Sequence, residues 1–325
     1  METVSGISNW KLTIRREETG VTILQAVTCD SRAALPDRLF GLPVTALGSR
    51  ALAPDRPEPP GETLLVTCGA GNGAVWDNRQ LTDLTLPAEL RALDDYALLN
   101  CSTLKTLRIY DTPLRWGGGV LMNCRQLDTL HLIRTGGEAG ESLAYFAGEL
   151  SRELEVILEG PGERRVRLLF PEYVELYEEN CPAHHFDYFI SGAGYPYHHC
   201  FRQKRLHLPD YDALWQDFLA TEHDESAALR LAWYRLRCPE ELSPEAAASY
   251  RLYLQDHLED AFRLLLEERD GTGLRLLLDW IPPDQKTLSA ACGQARELGN
   301  TAALAVLLEE QHKRGLVDTA NRFAL

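Results

Sequence analysis

Residues 81–110 read "LTDLTLPAELRALDDYALLNCSTLKTLRIY", and the stretch contains its own echo. Shifted by 23 residues, Leu81 falls on Leu104, Leu84 on Leu107 and Leu86 on Ile109; a second shift reaches Leu127, Leu130 and Leu132. Asn100-Cys101 falls on Asn123-Cys124 in the same way. Working outward, the frame brings four segments together without a gap: "ALGSRALAP" from Ala46, "GAGNGAVWD" from Gly69, "ALDDYALLN" from Ala92 and "RWGGGVLMN" from Arg115. A constant period of this length predicts stacked coils, each burying its apolar face against its neighbours.

The frame also decides how to read "LLVTCGAGNGAVW" at residues 64–76, an apolar run opening into alternate glycines. A phosphate-cradling loop would need a crossover helix after it and an acidic residue about 20 positions on. The chain continues instead with "DNRQLTDLTLP", the start of another leucine-patterned strand. Gly71 and Gly73 share columns with Gly48 and Arg50, with Asp94 and Tyr96, and with Gly117 and Gly119. They read as the turn of a coil.

Within each "LxxLxL" the last two leucines stand two apart, so both face one side of a strand and the residue between them faces the other. Stacking then buries a leucine ladder and leaves an outward column of Thr85, Arg108 and His131, with Asp83, Thr106 and Thr129 beside it and Tyr110 at the strand end. These seven residues are the expected protein-binding face. Cys101 and Cys124 occupy one column on the return leg, where a compact apolar side chain fits between coils.

The pattern of residues 81–110, with its proline after the strand and a cysteine on the return leg, resembles the leucine-rich repeats of the bacterial surface-antigen (BspA-like) type. "ALPDRLFGLPVTALGSRALA" at residues 34–53 is similar to the first coil of such arrays. The likeness runs from about residue 20 to 160. It implies a leucine-rich repeat solenoid in a bacterial protein and names no activity; many relatives are surface adhesins.

Both ends of the array decay, as capping units do. Residues 10–28 alternate well enough for a hairpin over the first coil, and "APDRPEPPGE" at residues 53–62, with four prolines, reads as a loop bulging from the stack. Downstream, Leu150 keeps its offset from Leu127, the frame slips by one residue at Leu154, and "RVRLLFPEYVEL" from Arg165 is the expected last strand.

From about Asp210 the apolar spacing becomes three and four, which predicts helices. Ser243 before Pro244 is an N-cap and first-turn pair, "PEAAASYRLYLQDHLEDAFRLLLEE" reads as one long run, and another helix starts at Asp284 after Pro282-Pro283. Gly273 to Leu278 aligns with Ala303 to Leu308 at an offset of 30. These last pairs resemble degenerate ankyrin-type repeats without the Thr-Pro-Leu-His signature.

Between the two parts lies "NCPAHHFDYFISGAGYPYHHCFRQKRLH", from Asn180 to His207. Cys181 and His184 have the gap of one side of a tetrahedral zinc site, and His198 with Cys200 would supply the other. The aromatic density fits an interdomain packing joint equally, and a catalytic Cys-His pair is a third reading.

Composition sets the remaining limits. The 325 residues are 45% apolar and 25% charged, with a formal charge of −15 and no basic stripe, so nucleic acid is not an expected partner and basic proteins are favoured. No window approaches ~18 apolar residues and the start lacks a secretory pattern, so no membrane span and a cytoplasmic location are expected. The eight cysteines are sparse and read as reduced thiols. The sequence thus predicts an α+β chain: a leucine-rich repeat domain at 1–175 with an N-terminal hairpin cap, a Cys/His/aromatic linker at 176–209, and an α-helical solenoid or bundle at 210–325. Its expected role is a non-enzymatic protein-binding scaffold without a cofactor. The alternative is a zinc-dependent regulator or enzyme centred on the linker.

Overall fold

A computed structural model describes residues 2–69, 74–135, 141–160, 165–180 and 185–314. It divides into two compact units after His223. The chain is mixed: sheets first, helices after.

The first unit opens with β1 (Glu2–Ser5), β2 (Trp10–Arg16), β3 (Val21–Thr28), β4 (Arg32–Ala34), β5 (Arg38–Leu39), β6 (Leu42–Leu47) and β7 (Glu62–Thr67). Then come β8 (Asp83–Thr85), β9 (Ala92–Leu93), β10 (Thr106–Tyr110), β11 (Arg115–Trp116) and β12 (Thr129–Ile133). Strands β8, β10 and β12 pair in parallel, Leu84 beside Leu107 beside Leu130, which is the 23-residue offset expressed as sheet register. The inward leucines are fully buried, Leu107 and Leu130 at 0% exposure. The return legs stack too. Arg50, Tyr96 and Gly119 hold one column with φ of 54°, 61° and 58°, and Asn100 and Asn123 another at 61° and 63°. Asparagine tolerates this left-handed turn, and Asn123 Nδ2 donates to Asn100 Oδ1 across it at 2.8 Å. Cys101 and Cys124 are buried in their column and donate to Leu52 O and Leu98 O.

Between β6 and β9 one coil of the period is missing, which corrects the four-segment frame. β6 pairs directly with β9, Ala46 beside Ala92 and Leu47 beside Leu93, two periods apart. Leu52 N–H donates to Ala97 O at 2.8 Å, so nothing lies between these legs. The frame beginning at Gly69 supplies no coil; β7 instead pairs with β2 and β1. Prolines at 54, 57, 59 and 60 cannot donate to a ladder and carry the chain off the stack. Gly71 and Gly73 themselves lie outside the described residues.

Asn78 returns the chain. Its buried Nδ2 donates to Ala26 O (2.8 Å) and Leu52 O (2.9 Å), and its Oδ1 accepts from Thr28 N–H (3.0 Å). One amide therefore ties the β2–β3 hairpin to the first return leg. That hairpin covers the end of the array, with Trp10 fully buried and its Nε1 donating to Ala34 O at 2.8 Å.

At the other end, α1 (Ser142–Glu149) replaces a turn on the return leg, followed by β13 (Leu154–Glu159) and β14 (Arg165–Phe170). β13 joins β12 with Leu130 beside Val156, an offset of 26. This coil is three residues longer than the period, where the sequence indicated a slip of one. β14 closes the sheet antiparallel. Then follow β15 (Val174–Asn180), β16 (His185–Ser191), α2 (Tyr195–His198), β17 (Phe201–Arg202), β18 (Arg205–Leu206), α3 (Leu208–Ala213) and α4 (Trp215–Ala220). Helices α3 and α4 belong to this unit: Tyr211 Oη donates to Leu169 O and accepts from Leu169 N–H at 3.2 Å, and Tyr197 packs edge-on to Tyr211 and Phe218.

The second unit comprises α5 (Glu225–Arg237), α6 (Pro244–Asp256), α7 (Leu258–Glu267), α8 (Gly271–Trp280), α9 (Gln285–Glu297) and α10 (Thr301–Lys313). The long run from Pro244 breaks at His257, whose Nδ1 lies 2.9 Å from Tyr253 O and whose ring stacks on Tyr253. Side chains of Asp224, Ser243, Asp270, Asp284 and Asn300 cap helix starts, each satisfying a backbone N–H that has no helical partner. Asp270 and Asn300 stand 30 residues apart, each after a left-handed residue, Arg269 or Gly299. The pair α7–α8 is thus repeated as α9–α10.

Candidate functional site

The seven residues picked from the sequence lie on one face of the six-stranded sheet β14-β13-β12-β10-β8-β4, all half-buried. Arg108 stands beside Thr85 and His131, Thr106 beside Asp83 and Thr129, and Tyr110 beside Ile133. Asp83 accepts from Thr82 Oγ1 at 2.6 Å and lies 3.5 Å from Arg32 Nε; Thr129 Oγ1 donates to Asp128 at 2.8 Å.

The face extends onto strands that the period does not reach. Glu155 and Glu159 of β13 and Arg165 and Arg167 of β14 point the same way. Glu159 gathers three partners: Arg108 donates to its Oε2, His131 Nδ1 lies 3.4 Å from Oε1, and Arg165 donates to Oε1 at 2.8 Å. Burial would raise this carboxyl, but the Arg165 hydrogen bond, the Arg108 charge and the His131 contact outweigh it and hold the group below the ordinary glutamate range. Arg167 grips Glu155 through two bonds of 2.6 and 2.9 Å. Arg108 is therefore not a loose cation. The signal in the sequence was "ELEVILEG" and "RVRLLF", where acids and then arginines alternate with apolar residues.

The four zinc candidates do not form a described cluster. Cys181 and His184 lie outside the described residues. His198 is buried, with Nδ1 2.9 Å from Ala147 O and Nε2 2.9 Å from Pro171 O, so both ring nitrogens face carbonyls. Desolvation lowers its pKa, the carbonyls of Ala147, Pro171 and Phe170 raise it, and His199 works with desolvation; the net direction is down. Cys200 Sγ donates to Tyr197 O at 3.0 Å, and burial pushes its thiol up to about 12. Among the described residues no group of three or more His, Cys, Asp or Glu is placed to hold a metal ion. His198 works as a wedge that ties α1 to the chain after β14.

A cavity of about 390 Å³ opens beside Trp116, Tyr145 and Lys204. Trp116 stacks on Tyr145 at 4.1 Å, and Lys204 pairs with Glu141 at 2.6 Å. Its polar rim is thus self-neutralised.

No known protein family matches the chain, and no curated protein does. One solved structure is similar in part, a leucine rich cell surface protein from Faecalibacterium prausnitzii A2-165. The TM-score is 0.27 at 16% identity, over 49% of this chain and 42% of that one. The likeness spans less than half the length of either protein.

Proposed function

We propose that the chain is a non-enzymatic protein-interaction scaffold of the cytosol, built on a leucine-rich repeat solenoid of the bacterial surface-antigen type, and that it binds a protein partner on the outward face of the six-stranded sheet. The observation that carries this reading is the face itself. Four adjacent strands present Thr, Arg, Tyr, His and Glu side chains at strand spacing, half-buried and cross-braced by Glu159. A braced surface loses little side-chain entropy on binding, and Tyr and Arg are enriched where binding energy concentrates.

The bracing changes which variants test the proposal. Truncating Arg108 also strips a partner from half-buried Glu159, so its effect mixes binding with local structure. Tyr110 and Thr106 are cleaner probes. A photo-crosslinking residue at Thr106 should capture a partner from lysate, and titration calorimetry with that partner should show Tyr110→Ala losing about 2 kcal/mol of binding with an unchanged melting curve. Undiminished affinity for both Tyr110→Ala and His131→Ala would remove the partner from this face.

A further inference from the structure

Strands β15 and β16 form a hairpin that joins neither larger sheet, so among the described residues the outer edge of each is open. Its register sets two faces. On one, Leu176 lies across from Phe189 and Val174 precedes them; on the other, Tyr177 lies across from Tyr188 and Glu175 from Ile190. These six large apolar side chains are exposed, from 38% at Ile190 to 69% at Tyr177. A two-stranded ribbon is marginal alone, and apolar groups left in water on both of its faces mark a contact surface.

The root of the hairpin is firm. Tyr173 is buried and its N–H donates to Ser151 O at 2.9 Å. Gly192 has a φ of 95°, and a Cβ on Gly194 would lie 2.0 Å from Pro171 O, so the return of the chain is packed down to the backbone.

Charge identifies the occupant. Glu172, Glu175, Glu178, Glu179 and Asp187 fall on or beside the hairpin, and no Lys or Arg occurs from Leu168 to Phe201. Two copies of such an arm repel each other, whereas a cationic segment is attracted and oriented. Glu175 is also fixed in place, accepting from Tyr188 Oη at 2.8 Å.

We propose that the open edge of β15 takes up, as a third strand, an extended segment of another protein in which lysine or arginine alternates with apolar residues. The edge supplies backbone hydrogen bonds, Leu176 and Phe189 cover the apolar side chains on one face, and Glu175 meets the cations on the other. None of the seven outward residues of the larger sheet takes part, so this surface is independent of the function proposed above.

The test uses the full chain and a fluorescein-labelled heptapeptide that alternates lysine with valine and tyrosine, beside the same peptide with glutamate for lysine. The lysine peptide should bind saturably and more weakly as salt is added, and the glutamate peptide should not bind. Leu176→Ser and Glu175→Lys should each weaken binding about tenfold or more, and peptide should slow amide exchange at residues 174–178. Both substitutions are of exposed side chains, and an unchanged melting curve verifies the fold. No binding up to about 1 mM, equal binding of the two peptides, or binding that neither variant alters overturns the proposal. So does self-association of the chain that Leu176→Ser abolishes, which assigns the arm to a second copy.

Discussion

Replacing Asn78 with alanine should cost the first unit far more than an average surface change, because one side chain there serves three backbone groups. Ala26 O, Leu52 O and Thr28 N–H lie 2.8, 2.9 and 3.0 Å from the amide, and Asn78 is 1% exposed. Each bond has a modest net worth, but each orphaned backbone group loses about 1–3 kcal/mol of solvation, so the sum is about 3–5 kcal/mol, with a trapped water moderating it. In a unit of this size that corresponds to roughly 10 °C in melting temperature. Asn78→Leu keeps the volume, excludes the water and should cost more. Urea unfolding gives the magnitude. Amide exchange mapped by peptide gives the location: protection should fall first in β3 and at Leu52, while α5–α10 retain theirs. A loss under about 1 kcal/mol for Asn78→Ala would refute the idea that this amide holds the hairpin to the stack.

Leu107→Asp should abolish the cooperative melt of the sheet by circular dichroism, since Leu107 is fully buried between Leu84 and Leu130 and an unpaired carboxylate there costs several kcal/mol. Gly194→Ala drives a methyl into Pro171 O and should destabilise the root of the hairpin by about 2 kcal/mol or more, seen as faster exchange at Tyr173 and in β15. His198 gives a pH dependence of known sign. Its folded pKa is lowered, so on acidification the unfolded chain takes up the proton first; stability is full above about 6.5 and declines as pH falls from there. The urea midpoint of the parent should therefore drop between about pH 7 and 5 by more than that of His198→Asn. A parent that gains stability over that range would show the buried ring to be protonated.

What the sequence discloses is what a regular period can carry. Strand register, the leucine ladder, the cysteine column and the outward placement of Thr85, Arg108 and His131 all come from counting 23. The same count misplaces the frame at Gly69, because composition there is coil-like while the contacts that decide it are distant. β7 reaches β1 and β2, and Asn78 reaches Ala26. Counting puts Asn78 in the column of Cys101 and Cys124, but the period does not disclose its role, which appears only when the fold brings two carbonyl groups and one amide around it. The break at His257 is similar: apolar spacing runs through it, and a local contact with Tyr253 ends the helix.

The site shows where counting fails by degrees. Placing the slip at Leu154 as one residue assigns the correct faces to β13, because an odd shift exchanges inside and outside, and Leu154, Val156 and Leu158 are indeed buried. It still leaves the register two residues short. At an offset of 24, Glu159 would stand beside Thr135, past the end of β12. At the observed 26 it stands beside Ile133, diagonal to His131 and within reach of Arg108. Two further residues of length in this coil thus decide whether the outward column carries a free cation or a braced cluster. A face chosen for its hot-spot side chains becomes a face whose central arginine is already held by Glu159, so the binding proposed for it would fall to the neighbours Tyr110, Thr106 and Thr129.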